Sequence, residues 1–178
     1  MSASPVRLNH AVFFVADLDR SVRFYRDVFG LELVSYEAAV NGAFLRLPRS
    51  GNHHDLGLFG IPGAAARAPR SVGLYHLAWQ LDTVDELAEF RDVLIRVGAY
   101  SGESSHGATK SVYGVDPDGN QFEVMWMLPR SEWGAYTDAA IVEPLDLASE
   151  LESWSGVRTA GELILSGSIA HPTTSKEN

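Results

Sequence analysis

The sequence contains no cysteine, few basic residues and no long apolar run. Its 178 residues hold 14 Lys and Arg against 23 Asp and Glu, which gives a formal net charge of −9. The absence of cysteine excludes disulfides, thiolate nucleophiles and cysteine-ligated zinc or iron–sulfur centres. An acidic chain without a basic cluster argues against partners such as nucleic acid and anionic membrane. We find no apolar run of the roughly 18 residues that a membrane span needs, and no secretory signal in residues 1–6. The sequence therefore predicts a cytoplasmic protein.

What the sequence does contain is an internal repeat. Residues 24–28 (FYRDV) return loosely as residues 89–93 (EFRDV), and a short apolar segment with one histidine precedes each copy. These histidines, His10 and His76, lie 66 positions apart, and the two helix motifs lie 65 apart. Because the two spacings agree within one residue, they indicate a duplication.

Each repeat has the pattern of a βαβββ unit. The apolar segments, residues 8–15 and 74–81, predict strands, and the helices that follow are marked by apolar stripes. These stripes are Leu18, Val22, Tyr25 and Phe29 in the first helix and Val84, Leu87, Phe90, Leu94 and Val97 in the second. Asp17 or Asp19 can cap the first helix, and Gly30 and Gly98 are placed to end the two helices. Three further strands are predicted in each half, at about 31–36, 42–47 and 55–59, and at 99–102, 109–115 and 121–126.

These elements predict an α+β fold in which two tandem βαβββ modules form a curved mixed sheet, or cup. The modules cover about residues 7–60 and 72–128 within one domain of residues 1–128, and the turn at residues 116–120 (DPDGN) joins the last two strands. Residues 129–178 form an extension with eight acidic and three basic residues, and a short helix is predicted after Pro144. We expect the end, from Ser166, to be disordered.

Three side chains could converge inside such a cup: His10, His76 and Glu123. Glu123 lies between Phe122 and Val124 in an apolar strand, where a carboxylate is costly unless it is neutral, paired or bound to metal. A single histidine in a strand is more often a structural residue. Two histidines at equivalent repeat positions, with a carboxylate from a later strand, instead match the two-histidine, one-carboxylate sites of non-haem Fe(II) oxygenases.

The sequence resembles the vicinal oxygen chelate superfamily, which includes glyoxalase I, bleomycin-resistance proteins and extradiol dioxygenases. The resemblance is carried by residues 8–12 (LNHAV), 17–25 (DLDRSVRFY) and 116–123 (DPDGNQFE). Two other segments, 53–59 (HHDLGLF) and 106–113 (HGATKSVY), are similar to segments of catechol 2,3-dioxygenase-like members.

That resemblance implies an extradiol ring-cleavage dioxygenase that acts on a catechol-type diol with O₂. His10, His76 and Glu123 would bind Fe(II), or alternatively Mn(II). His54 would be the base or proton shuttle, Tyr113 would orient a ring oxygen, and His106 would face the substrate or support the site. The resemblance also implies a homo-oligomer, a dimer or larger.

Other interpretations stay open at this point. His53 and His54 could belong to a solvated loop, Tyr113 could be an ordinary strand aromatic, and His106 could be exposed to solvent. A glyoxalase-like lyase or isomerase on the same metal site is an alternative function. Such a site would need a second acid from the first module, and Asp55 is the only acid nearby. A metal-free protein that binds a small molecule and confers resistance is the other alternative.

Overall fold

Two four-stranded mixed sheets, each covered by one helix, make up the body of the protein. The computed structural model describes residues 3–5, 7–65, 68, 72–139 and 141–161. The first module contains β1 (Ala11–Val15), α1 (Leu18–Phe29), β2 (Glu32–Glu37), β3 (Gly42–Arg46) and β4 (Leu56–Gly60). The second contains β5 (His76–Gln80), α2 (Val84–Arg96), β6 (Tyr100–Ser105), β7 (Thr109–Val115) and β8 (Gln121–Met127). The predicted pair of βαβββ modules is therefore confirmed.

The two sheets have the same topology. Their strand orders are β1-β4-β3-β2 and β5-β8-β7-β6. In each sheet the first strand is parallel to the last strand of its module, and the other pairs are antiparallel. Equivalent residues of the repeat therefore occupy equivalent places in the two sheets.

Helices α1 and α2 begin and end where the sequence predicts. Asp17 caps α1 by accepting a hydrogen bond from the main-chain nitrogen of Arg20. Gly30 ends α1 with a φ of 67°, a left-handed conformation that favours glycine. The predicted stripe of α2 is wrong at Val97, which is 51% exposed because it lies at the C-cap, after the last helical turn.

One apolar core joins the two modules. The Phe29 ring of α1 lies 5.1 Å from Trp79 and 5.0 Å from Phe90 and from Phe122, measured between ring centroids. Trp79 and Phe122 belong to the second sheet, so the helix-covered faces of both sheets share this core. The face of each sheet that lies opposite its helix is its open face.

The turn between β7 and β8 holds the second module on α1. Asp118, which is 9% exposed, accepts hydrogen bonds from the Ala16 main chain at 3.1 Å and from Ser21 Oγ at 2.9 Å. It also forms an ion pair with Arg20 at 2.6 Å. Tyr25 Oη donates to Asp116 Oδ2 at 2.9 Å. The sequence predicts this turn but not its role as a clamp between the modules.

The extension packs on the second module. Its helix α3 (Leu147–Trp154) starts later than predicted because Asp146 caps it by accepting from the Ser149 main chain. Lys110 of β7 pairs with Glu150 of α3 at 2.7 Å. The segment from Ser166 that we expect to be disordered lies outside the described residues, as does part of the link between the modules. In the described part of the chain, no helix has both the length and the apolar character to cross a membrane.

Candidate metal site and adjoining cavity

Side-chain alternation decides which residues reach the open face of each sheet. In β1, Val15 is buried against the helix side, so Val12 and Phe14, which are 49% and 72% exposed, lie on the open face. His10 precedes β1 by one residue and continues this alternation. In the second sheet His76 and Ala78 lie on the open face, and Ala78 is the register partner of Glu123.

His76 and Glu123 meet on the open face of the second sheet. His76 Nε2 lies 2.9 Å from Glu123 Oε2, and Ser111 Oγ donates to the other oxygen of the carboxylate. Two ligands bound at about 2.1 Å and at a right angle around one ion are about 3 Å apart. The 2.9 Å separation is that of a hydrogen bond, and it also equals the spacing of two neighbouring metal ligands. His76 Nδ1 is buried and has no hydrogen-bond partner among the residues described.

A cavity of about 640 Å³ adjoins this pair, and His76, Glu123, Ser104, His106 and Tyr113 contribute to its wall. Tyr113 Oη lies 2.7 Å from His106 Nε2 and 3.1 Å from Ser104 Oγ. Burial raises the pKa of the Tyr113 phenol, so the phenol is protonated at neutral pH. The structure thus brings four of the six predicted site residues to one place.

His10 and His54 lie together on the first module. Their ring centroids are 4.5 Å apart, and His10 Nδ1 is 3.0 Å from Asn9 Oδ1. Among the described residues, no group of three or more histidine and acidic side chains is arranged to hold a metal. The ligand set His10, His76 and Glu123 therefore stays a prediction, with two of its members in contact.

A shared strand nevertheless links His10 to the other pair. A cavity of about 280 Å³ is lined by His10 together with Leu77 and Ala78 of β5. Ala78 also lines the larger cavity beside Glu123. His10 therefore lies close to β5, the strand that pairs with β8.

The environment of His54 favours the neutral imidazole. The pKa of His54 is lowered, first by burial and then by the nearby imidazoles of His10 and His53. Its ring also packs against Phe44, with centroids 5.1 Å apart. A neutral ring can accept a proton, which is compatible with the predicted role as a base.

Asp55 is not available as a ligand from the first module. It is 8% exposed, and its carboxylate accepts hydrogen bonds from the Leu47 main chain, Ser50 Oγ and Asn52 Nδ2. Strand register also places Gly57, the partner of Val12, where the second module has Glu123. The first module therefore offers no fourth ligand at that position.

Three site residues are absent from the sequence-based prediction: Ser104, Ser111 and Ile141. Ser111 precedes Tyr113 by two residues in β7, so alternation places both on the open face and could have identified it. Ser104 is the register partner of Ser111. Ile141, whose main-chain oxygen lies 2.8 Å from His106 Nδ1, belongs to the extension and gives no signal in the sequence.

This fold is found in a known group of proteins. The model of the Glyoxalase/Bleomycin resistance protein/Dioxygenase superfamily matches residues 7–124, and the chain belongs to that superfamily. Lactoylglutathione lyase from Agrobacterium tumefaciens has a similar crystal structure, with a TM-score of 0.54 and 28% sequence identity. The match covers 70% of this chain and 96% of that one.

Two sequence relatives are dioxygenases. Biphenyl-2,3-diol 1,2-dioxygenase 3 of Rhodococcus globerulus is 36% identical over 130 residues, which cover 70% of this chain and 64% of that protein. Catechol-2,3-dioxygenase of Bacillus subtilis (strain 168) is 32% identical over 127 residues, which cover 71% of this chain and 43% of that protein. The chain thus spans less than two thirds of the length of either relative.

Proposed function

We propose that the protein is a metal-dependent extradiol dioxygenase that opens the ring of a catechol-type diol with O₂. The contact between His76 and Glu123, beside a cavity that Tyr113 and His106 line, is the observation that carries this proposal. The names of the two dioxygenase relatives support the choice of an aromatic diol as substrate.

The donor set suits Fe(II), or alternatively Mn(II). His76 and Glu123 would bind the ion together with His10, which gives two imidazoles and one carboxylate and leaves coordination positions open. When bound, the metal would supply a Lewis acid for the two vicinal oxygens and a redox centre for O₂. Ser111 would fix the orientation of the Glu123 carboxylate by its hydrogen bond.

The remaining polar side chains would handle the substrate. Tyr113 and His106 lie beside Glu123 and would orient one ring oxygen. His54 lies beside His10, and its lowered pKa keeps the imidazole neutral, so it would accept a proton from the diol. Tyr113 and His106 would thus approach the proposed metal from the second module, and His54 would approach it from the first.

The glyoxalase-like alternative is weaker on structural grounds. It would need a second acid from the first module, but Asp55 is engaged by three hydrogen-bond donors and Gly57 occupies the position equivalent to Glu123. These observations favour a site with three protein ligands over a site with four.

Oxygen uptake tests the proposal directly. Protein purified without oxygen and reconstituted with Fe(II) is mixed with a panel of substituted catechols, while dissolved O₂ and visible absorbance are recorded. We expect oxygen consumption and a yellow ring-opened product. No uptake by protein with verified bound iron would refute the dioxygenase and favour a lyase or isomerase. Failure to bind any metal would favour a binding protein.

A carboxylate variant with a matched control tests the metal site. Glu123→Ala should lower metal affinity more than about 100-fold, because removing residues that only support a ligand already costs 10–100-fold. Glu89 is an exposed carboxylate on α2, so Glu89→Ala should bind metal normally. Equal metal content in the two variants, measured by elemental analysis, would eliminate Glu123 as a ligand.

A further inference from the structure

The extension fixes the tautomer of His106. His106 Nδ1 lies 2.8 Å from the main-chain oxygen of Ile141. A carbonyl oxygen can only accept a hydrogen bond, so Nδ1 carries the proton. In the neutral ring, Nε2 is then an acceptor with a single lone pair.

Two hydroxyl groups compete for that lone pair. Tyr113 Oη is 2.7 Å from His106 Nε2, and Ser104 Oγ is 2.9 Å from it. The shorter contact assigns the donor role to Tyr113. Ser104 can then donate to the Tyr113 oxygen, which lies 3.1 Å away. With its hydrogen directed at His106 and one lone pair occupied by Ser104, the Tyr113 oxygen keeps one lone pair as an acceptor, and Tyr113 lines the cavity.

The carbonyl that starts this chain of hydrogen bonds is held in place by a β-bridge. Ser105 and Glu143 exchange two main-chain hydrogen bonds, at 2.9 and 3.0 Å. Beyond the bridge, the ion pair between Lys110 and Glu150 anchors α3 on the same strand pair. The extension is therefore tied to the second sheet both before and after Pro144.

We propose that the Ile141 carbonyl positions His106 so that Tyr113 accepts, rather than donates, a hydrogen bond at the cavity. The chemical consequence is selectivity for a ligand that carries a hydroxyl hydrogen at this place. A vicinal diol fits, whereas a diol with that oxygen alkylated does not. The identity of the ligand rests on the proposed function, but the direction of the hydrogen bonds does not.

Long-range ¹H–¹⁵N NMR of histidine-labelled, metal-free protein tests the direction, at about pH 8, where an ordinary imidazole is neutral. Comparison with His106→Asn assigns the signals. We expect His106 to be protonated at Nδ1 in the native protein and also in Tyr113→Phe, where only its Nε2 resonance shifts. Protonation at Nε2 in the native protein, or a change of tautomer in Tyr113→Phe, would overturn the proposal.

Two variants at one exposed position test the role of the extension. Glu143→Pro removes the N–H that donates to Ser105, whereas Glu143→Ala keeps it. His106 should become a mixture of tautomers in the proline variant and stay unchanged in the alanine variant. The same tautomer in both, with far-ultraviolet spectra confirming the fold, would contradict the role of the Ile141 carbonyl.

A separate binding experiment tests the acceptor role of Tyr113. Calorimetric titration of the metal-loaded protein with catechol and with 2-methoxyphenol should show a preference for catechol, and Tyr113→Phe should reduce that preference about tenfold, as expected for one hydrogen bond. An unchanged preference would refute the acceptor role. No binding of catechol by any form would refute the proposed function, while the NMR result on hydrogen-bond direction would be unaffected.

Discussion

Replacing Asp118 with alanine tests the clamp between the two modules. The carboxylate accepts hydrogen bonds from the Ala16 main chain and from Ser21 Oγ, and Ser21 is completely buried. Removing the acceptor leaves both donors without this partner. The change therefore costs more than the loss of a contact at a surface loop, where water would replace the lost partner.

The size of the effect follows from these contacts. A hydrogen bond to a charged group contributes about 1.5–3 kcal/mol, and the lower end applies because the Asp118 carboxylate is itself desolvated. The ion pair with Arg20 adds no more than about 0.5 kcal/mol, since the Arg20 side chain is 42% exposed. We expect a loss of about 3 kcal/mol in the free energy of unfolding. For a chain of this size, that lowers the melting temperature by about 6–12 °C.

Thermal unfolding followed by circular dichroism measures this loss. The matched control is Asp27→Ala, which removes an exposed aspartate from α1 and should change stability by less than about 0.5 kcal/mol. Asp118→Asn, which keeps one acceptor oxygen, should fall between the two. If Asp118→Ala melts within about 2 °C of Asp27→Ala, the turn does not clamp the modules and the reasoning from buried donors is wrong.

Two further perturbations address the extension. The pKa of Asp82 is lowered: burial alone would raise it, but hydrogen bonds from Ala160 and Thr159 and the charge of Arg158 outweigh burial. The stabilising contribution of Asp82 is therefore complete above the unfolded-state pKa, about 3.9, and is lost as pH falls through the lower folded value. The protection factors of the Thr159 and Ala160 amides, which compare the measured exchange rate with that of an unfolded chain at the same pH, should fall only in that acidic range. Protection lost already at pH 6 would contradict this. Glu150→Gln leaves buried Lys110 without its counter-charge and should cost about 3 kcal/mol in chemical denaturation, whereas Glu152→Gln, at an exposed position of α3, should cost almost nothing.

The sequence was sufficient for the fold because the repeat and its periodicities are local signals. Apolar stripes with a helical period identified α1 and α2, and the turn at residues 116–120 fixed the pairing of β7 with β8. The repeat also led to the expectation that His76 and Glu123 converge inside the cup, and the structure places the two side chains 2.9 Å apart. Register decided this part of the site, and register follows from the sequence pattern.

Contacts between distant segments could not be predicted in this way. The turn residue Asp118 bonds Ser21, 97 positions earlier, and its sequence context indicates only a turn. Ile141 reaches His106 through its main chain, so its residue type carries no information about the contact. The strand predicted for residues 8–15 begins at Ala11 instead, since Asn52 binds the Asn9 main chain ahead of it.

The proposed metal site depends both on contacts set by strand register and on contacts between distant segments, because it includes His10. His76 and Glu123 belong to one sheet, so strand register alone brings them together. His10 directly precedes β1 of the other sheet. Its position relative to His76 and Glu123 therefore depends on how the modules pack, which the Asp118 clamp and the shared core around Phe29 determine. In the proposed dioxygenase the third ligand thus comes from the half of the molecule that tertiary contacts orient. Asp118→Ala should consequently weaken metal binding although Asp118 is no ligand, whereas Asp27→Ala should leave it unchanged. Equal metal affinity in the two variants would show that the clamp does not affect the metal site.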